Sequence, residues 1–320
     1  MAGIALIFPG QGSQLPGMGA ELLADPELEQ LARSCSWAAG VDLHHLLVDA
    51  TEDELRLTQN AQPALLFVGM GLTRLLRRRG VVAVASAGHS VGEYAALDAA
   101  GAASSEDLML AVAERGRGMA LAAPPQASSM RAVLGISAAA VEGALKGLPE
   151  VWPANYNTPT QTVIGGTLAG LEGAEGRLIE AGARRILPLN VAAAFHTPLM
   201  VPAANRLREV LDRVGWEEPV WPVVANLTGR VHPGPESFAK LLQGQLSQPV
   251  RWADSVAQLL ALGADVFLEL GPRRALTGMM KELAPAARAQ TVASPGAVAE
   301  LDLDALLGAG EAPQHPPGIG

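Results

Sequence analysis

The chain has 320 residues, 49% of them hydrophobic and 17% charged, with a net charge of −9 at neutral pH. That composition suits one large globular domain, or a main domain carrying an insertion, and excludes collagen-like, coiled-coil and wholly disordered chains. The acidic balance argues against a nucleic-acid partner. No apolar run reaches the ~18 residues needed to cross a bilayer, and the single Cys35 leaves neither an internal disulfide nor a cysteine-based zinc site.

Met1 to Phe8 is apolar but lacks the basic start and cleavage pattern of a signal peptide, so it reads as a strand and the expected compartment is the cytoplasm. The strand Gly3 to Phe8 runs into the turn Pro9-Gly10-Gln11-Gly12-Ser13-Gln14. Pro63 to Arg79 reads as a helix with Pro63 at its first position and Gly80 as its C-terminal cap; Leu65, Val68, Leu72, Leu75 and Leu76 form its stripe. Val81 to Ala87 reads as a buried strand and Val91 to Ala100 as a helix. Ser104 to Leu121 reads as another helix, opened by a Ser104/Asp107 capping box.

The rhythm changes near Ser129. Met130 to Ile136 reads as a strand, Ser137 to Leu148 as a helix, Val151 to Asn155 and Gln161 to Gly165 as strands, Leu168 to Ala181 as a helix, and Arg184 to Asn190 as a strand. This βαββαβ order predicts a ferredoxin-like small domain over 128–191, inserted into a large domain built from 1–127 and 192–292. A helix over Pro198 to Val214, a strand over Trp221 to Asn226, a helix over Val256 to Leu262 and a strand over Val266 to Leu270 follow. Alternating strands and helices predict an α/β fold with a mainly parallel sheet. Residues 293–320, rich in Gly, Pro and Ala, are expected to form a flexible tail.

Gly88-His89-Ser90-Val91-Gly92 matches G-x-S-x-G, after an apolar strand and at the start of a helix. A nucleophile elbow needs that context, because the sharp turn lifts the Ser90 hydroxyl above the sheet edge. The helix N-terminus leaves backbone N–H groups free for an oxyanion. A serine nucleophile needs a base. His315 lies in the tail, His44 and His45 sit in a polar stretch, and His89 is a strand neighbour of Ser90 pointing the other way. His232, in a Gly/Pro loop, could serve. His196 fits best: it directly precedes Thr197-Pro198, a helix start, where the dipole disfavours imidazolium.

Leu108, Val112, Arg115 and Met119 share one helical stripe, which places Arg115 on the buried face. A buried guanidinium must meet a carboxylate, carbonyls or an anionic ligand. An internal Asp or Glu satisfies it as well as a substrate carboxylate gripped by two parallel hydrogen bonds. No P-loop, G-x-G-x-x-G or metal spacing such as HExxH is present.

Taken together, the chain resembles the malonyl-CoA:acyl carrier protein transacylases and the related acyltransferase domains of polyketide synthases. The likeness rests on Phe8 to Gln14, Gln62-Pro63-Ala64, Gly88 to Tyr94, Arg115-Gly116, Asn155-Tyr156-Asn157 with Gln161, His196, Gln245-Leu246 with Pro249-Val250, and Gly271-Pro272 with Leu276-Thr277-Gly278. The resemblance implies a hydrolase-like α/β core with a ferredoxin-like small domain. It implies Ser90 as acylated nucleophile, His196 as base, the N–H groups of Gln11 and Val91 as oxyanion hole, and Arg115 as the grip on the malonyl carboxylate. It places Asn155 among the substrate-binding residues and the backbone carbonyl of Gln245 behind His196. No metal or cofactor is implied; the partners are a coenzyme A thioester and an acyl carrier protein, and the family is commonly monomeric. Arg273 stands where the family has Gly. Phe195 precedes His196, where methylmalonyl-selective relatives carry Ser, so a malonyl preference is implied. The alternatives are a carrier protein of polyketide rather than fatty-acid synthesis, a serine esterase or thioesterase, and a non-catalytic carrier-binding module. Arg184-Arg185 and Arg273-Arg274 are candidate contacts for an acidic carrier.

Overall fold

The structure is a computed structural model and describes residues 3–122 and 127–307. Ten strands form two sheets: β1 (Gly3–Phe8), β2 (Ala85–Gly88), β3 (Ser128–Leu134), β4 (Val151–Thr158), β5 (Gln161–Thr167), β6 (Arg185–Pro188), β7 (Val223–Ala225), β8 (Arg230–Val231), β9 (Ala264–Leu270) and β10 (Arg288–Val292). The larger sheet has the order β10-β9-β1-β2-β7-β8, and every pairing is parallel except β7 with β8. The smaller has the order β4-β5-β3-β6 and is antiparallel throughout.

β1 is buried along its whole length, as its unbroken apolar run requires of a central parallel strand. Its even residues Ile4, Leu6 and Phe8 pack into one core, and its odd residues Ala5 and Ile7 into a second core with Trp252 and Phe267. In the small sheet Met130 and Ala132 face the first core, while Val133 packs under the helices Ala138–Leu145 and Leu168–Glu180. The small sheet is also stitched through the backbone to the segment just before the helix Trp252–Ala261: Val250 N–H donates to Ala154 O at 2.9 Å, and Tyr156 N–H donates to Val250 O at 2.8 Å.

Several boundaries differ from expectation. The helix expected to open at Pro63 opens at Thr58 and runs to Arg78, so Pro63 lies inside it and the Gln59 carbonyl loses its i+4 donor. The polar run Thr58 to Gln62 carries no apolar stripe, which hid that first turn. Ser104 caps its helix by accepting the Asp107 N–H at 3.1 Å, but no reciprocal bond completes a box; the Asp side chain is one methylene shorter than the Glu such a box uses. The flexible tail expected from residue 293 is corrected. Helices Pro295–Ala299 and Leu303–Leu307 are present, Ser294 caps the first, and Val298 and Leu301 are buried. Residues 308–320 lie outside the described ones. Strand β10 and the helices Pro26–Ala39 and Pro235–Ser247 were not anticipated. Cys35 is fully buried, and burial pushes its thiol up to about 12, an unreactive state.

Candidate active site

The register of the central strands builds the site. Phe8 pairs with Gly88, so the turn after β1 and the turn after β2 emerge side by side at the carboxyl ends of adjacent parallel strands. The His89 N–H donates to Phe8 O at 2.8 Å and pins the two turns together. The elbow admits no side chain at its flanks: a Cβ on Gly88 would lie 1.9 Å from the Gly92 carbonyl carbon, and one on Gly92 would lie 2.2 Å from Phe8 O. Ser90 itself is left-handed, with φ 55°, a conformation a non-glycine residue holds only when its surroundings enforce it. The enforcing contacts come from Asn226, whose Oδ1 accepts the Ser90 N–H at 2.7 Å and whose Nδ2 donates to Gly88 O at 2.6 Å.

Ser90 and His196 meet. Ser90 Oγ lies 2.8 Å from His196 Nε2, and His196 Nδ1 lies 2.7 Å from the Gln245 carbonyl oxygen. A carbonyl only accepts, so Nδ1 carries the proton and Nε2 presents a lone pair to the serine hydroxyl. His196 is 4% exposed. Burial, reinforced by the positive charge of Arg115, pushes its pKa down to about 3, so the imidazole is neutral and able to take a proton.

Arg115 is 1% exposed, as its stripe predicted. Its guanidinium donates to Gln62 Oε1 at 2.7 Å, Ser90 Oγ at 2.9 Å and Gln245 Oε1 at 2.9 Å. No carboxylate among the described residues forms an ion pair with it, which removes the internal Asp or Glu alternative. A guanidinium has five N–H donors; three are used here, and Nε is buried without a partner. Because Arg115 donates to Ser90 Oγ, the serine proton is directed at His196.

A cleft of about 220 Å³ opens over Ser90 and His196. Gly10, Gln11 and Gln62 line one side, Asn155, Asn157 and His89 another, and Met119, Met130, Phe195 and Met279 give it an apolar wall. Arg115, Val91 and Gln245 are not part of this lining, but Arg115 and Gln245 bond Ser90, which is, and Val91 follows it in the chain. The backbone N–H groups of Gln11 and Val91 have no acceptor among the described residues. Phe195 and Asn155 are both buried at the wall, and the Asn155 amide makes no hydrogen bond among those residues.

The other histidines do other work. His89 Nε2 pairs with Asn157 Oδ1 at 3.0 Å, and its ring packs against Trp252. His232, the second candidate base, does not bond Ser90; its Nε2 lies 2.9 Å from Glu93 Oε1. His44 is exposed beside Asp49, and His45 is half-buried beside Glu54. No cluster of three or more His, Cys, Asp or Glu among the described residues could hold a metal ion, and no described helix is long and apolar enough to cross a membrane.

The family model of the acyl transferase domain matches residues 5–300. The malonyl CoA-acyl carrier protein transacylase of Bacillus subtilis is 38% identical over 311 residues, covering 96% of this chain and 98% of that protein. The Escherichia coli protein of the same name is 36% identical, covering 93% of this chain and 98% of its own. The chain belongs to the malonyl-CoA:acyl carrier protein transacylases. The solved transacylase of Xanthomonas oryzae superposes with a TM-score of 0.88 at 39% identity, over 93% of this chain and 97% of that one. A malonyl-transacylase solved in complex with its type II polyketide acyl-carrier protein gives a TM-score of 0.89 at 35% identity, over 96% and 100%.

Sequence reasoning missed part of this transacylase site. Gln62 was quoted only as part of a motif, yet it holds Arg115. Glu93 likewise stands only as part of the Gly88 to Tyr94 motif, and Asn226 carries no spacing signal at all. The Gln245 side chain acts beside its main chain: Nε2 donates to Ser90 O at 3.0 Å and to Glu93 Oε2 at 2.7 Å.

Proposed function

We propose that the protein transfers malonyl from malonyl-CoA to the phosphopantetheine thiol of an acyl carrier protein, through a malonyl ester on Ser90. The carrying observation is the pair of hydrogen bonds at Ser90 Oγ, which donates to His196 Nε2 at 2.8 Å and accepts from Arg115 at 2.9 Å. His196 removes the serine proton as Oγ attacks the thioester carbonyl. The tetrahedral oxyanion is held by the N–H groups of Gln11 and Val91, a contribution of about 10²–10³ in rate for one such donor. His196 then returns the proton to the departing thiol of coenzyme A. The carrier's thiol attacks the ester with the same base, and Ser90 is released. The Gln245 carbonyl stabilises the transient imidazolium, in place of an acid.

Arg115 grips the free carboxylate of the malonyl group with its guanidinium N–H groups. To do so it gives up its bond to Ser90 Oγ, which frees the ester oxygen as acylation proceeds. Asn155 offers its unpaired amide to the substrate, and Phe195 crowds its C2. The proposed chemistry uses no metal or organic cofactor, and it needs no ATP, because thioester and oxygen ester are close enough in energy for transfer to run both ways. The reading takes the protein to be a cytoplasmic monomer that supplies extender units to fatty-acid synthesis.

The strand order of the small sheet, with its two covering helices, supports reading 128–191 as a ferredoxin-like insertion in a large hydrolase-like domain of 1–127 and 192–292. The cleft runs between them, lined by Met130, Asn155 and Val163 on one side and Gln11, Ser90 and Ala275 on the other. Steady-state kinetics with both substrates varied test the covalent route. Parallel double-reciprocal lines are expected, and intersecting lines would contradict it.

A further inference from the structure

We propose that Glu93 is a positioning residue for malonyl selection, acting through the side-chain amide of Gln245; this rests on the reading of Arg115 as the malonyl grip. Glu93 is 1% exposed, lies in the first turn of the helix Gly92–Ala99 that follows Ser90, and does not line the cleft. Three donors surround its carboxylate. Oε2 accepts the Asn226 N–H at 3.0 Å and Gln245 Nε2 at 2.7 Å, and Oε1 lies 2.9 Å from His232 Nε2. His232 is itself wedged edge-on against Phe238, with ring centroids 4.8 Å apart.

The Gln245 amide has two ends, and its surroundings decide which end faces Arg115. Its nitrogen lies between two groups that only accept, the Glu93 carboxylate and the Ser90 carbonyl. Its oxygen is therefore turned to the Arg115 guanidinium at 2.9 Å. A rotated amide would set N–H against N–H in a dry site, leaving both unpaired.

The arrangement also solves a charge problem. A buried guanidinium wants an anion nearby, but a carboxylate bonded to it directly would occupy the N–H groups that the substrate needs. Here the anion stands one amide away. Glu93 orders Arg115 without consuming it, and the selectivity for a charged acyl group depends on that spacing.

The test uses the full chain and single-turnover acylation of Ser90, followed by intact mass, with malonyl-CoA and acetyl-CoA. Four proteins are compared: wild type, Glu93→Gln, Gln245→Met and the double variant. Wild type that takes no malonyl on Ser90 would refute the underlying reading and this inference with it. With wild type labelled, Glu93→Gln is expected to lower the malonyl-to-acetyl rate ratio about tenfold, the scale of one hydrogen bond to a charged group. In the Gln245→Met background the same change should move the ratio less than about twofold, because the relay is already broken. Equal losses for both substrates would show a merely structural role and overturn the proposal; so would an undiminished effect in the Gln245→Met background. If circular dichroism shows Glu93→Gln unfolded, Glu93→Asp makes the same comparison, since it keeps the charge but withdraws it by one methylene, and the same fall in ratio is expected.

Discussion

Arg115 and Ser90, 25 residues apart in the chain, are joined by a 2.9 Å hydrogen bond from guanidinium to hydroxyl oxygen. On the proposed function, the bond orients the nucleophile before substrate arrives and marks the point that a substrate carboxylate must contest.

Arg115→Ala follows from that bond. Malonyl transfer should fall by about 30-fold to several thousandfold, since truncating one side of a buried charge contact costs about 2–5 kcal/mol. Acetyl transfer should fall far less, so the relative activity toward acetyl-CoA rises. Acylation rates with both thioesters check this, and an unchanged malonyl preference would count against the assignment.

His196 makes a prediction about pH. Its ordinary value of 6.5 is depressed to about 3 in the folded protein. As pH falls through 6.5 the unfolded chain takes up a proton here that the folded chain refuses. This residue's contribution to stability is therefore complete above that value and shrinks as the pH drops toward 3. Activity behaves differently: the base stays neutral across the window. A pH profile of kcat/KM for malonyl-CoA should show no inflection between pH 6 and 7 from this group, within the range where the protein stays folded. An inflection near about 6.5, the ordinary histidine value, would show an unperturbed imidazole.

The elbow glycines are steric requirements. Gly88→Ala places a methyl 1.9 Å from backbone that cannot move without breaking the turn. The loss should exceed about 3 kcal/mol, the upper end of ordinary overpacking. Thermal or urea unfolding reads it, and a loss under about 1 kcal/mol would mean the turn is looser than described.

Phe195→Ser opens the cleft wall beside the nucleophile. Discrimination between malonyl-CoA and methylmalonyl-CoA should relax by about 10–200-fold, the range for one methyl group. Competition between the two thioesters measures it, and an unchanged ratio would place the selective contact elsewhere in the apolar wall.

The carrier protein's approach is testable at two arginine pairs, all four exposed. Arg273-Arg274 adjoin Ala275 and Leu276 in the cleft wall, whereas Arg184-Arg185 stand at the far end of β6 from Leu189, which lines the cleft. Reversing the charge of Arg273 and Arg274 should slow transfer to the carrier about tenfold at low salt and flatten its salt dependence; the same change at Arg184 and Arg185 should do little. Equal effects at both pairs would argue for a broad basic rim.

The three residues that meet at the cleft, Ser90, His196 and Arg115, were legible in the sequence for local reasons. Ser90 announces itself by two glycines, His196 by the helix start after it, and Arg115 by breaking an apolar stripe. The mixed α/β architecture followed from the alternation of apolar runs with helical patterns. The supporting residues had no such marks. Glu93 and His232 are 139 positions apart, and Ser90 and Asn226 are 136 apart; only the β2–β7 pairing and the elbow bring them together. The C-terminal region misled because Gly, Pro and Ala were read as looseness, while Val298 and Leu301, two buried side chains three residues apart, gave too short a pattern to register.

The central claim is that Ser90 carries the malonyl group between two thiols, and intact-protein mass spectrometry addresses it directly. Mixing the protein with malonyl-CoA should add one malonyl mass at Ser90, absent from Ser90→Ala, stable in buffer and removed on adding phosphopantetheinylated carrier protein. No adduct, or an adduct that water discharges as fast as the carrier does, would contradict the account.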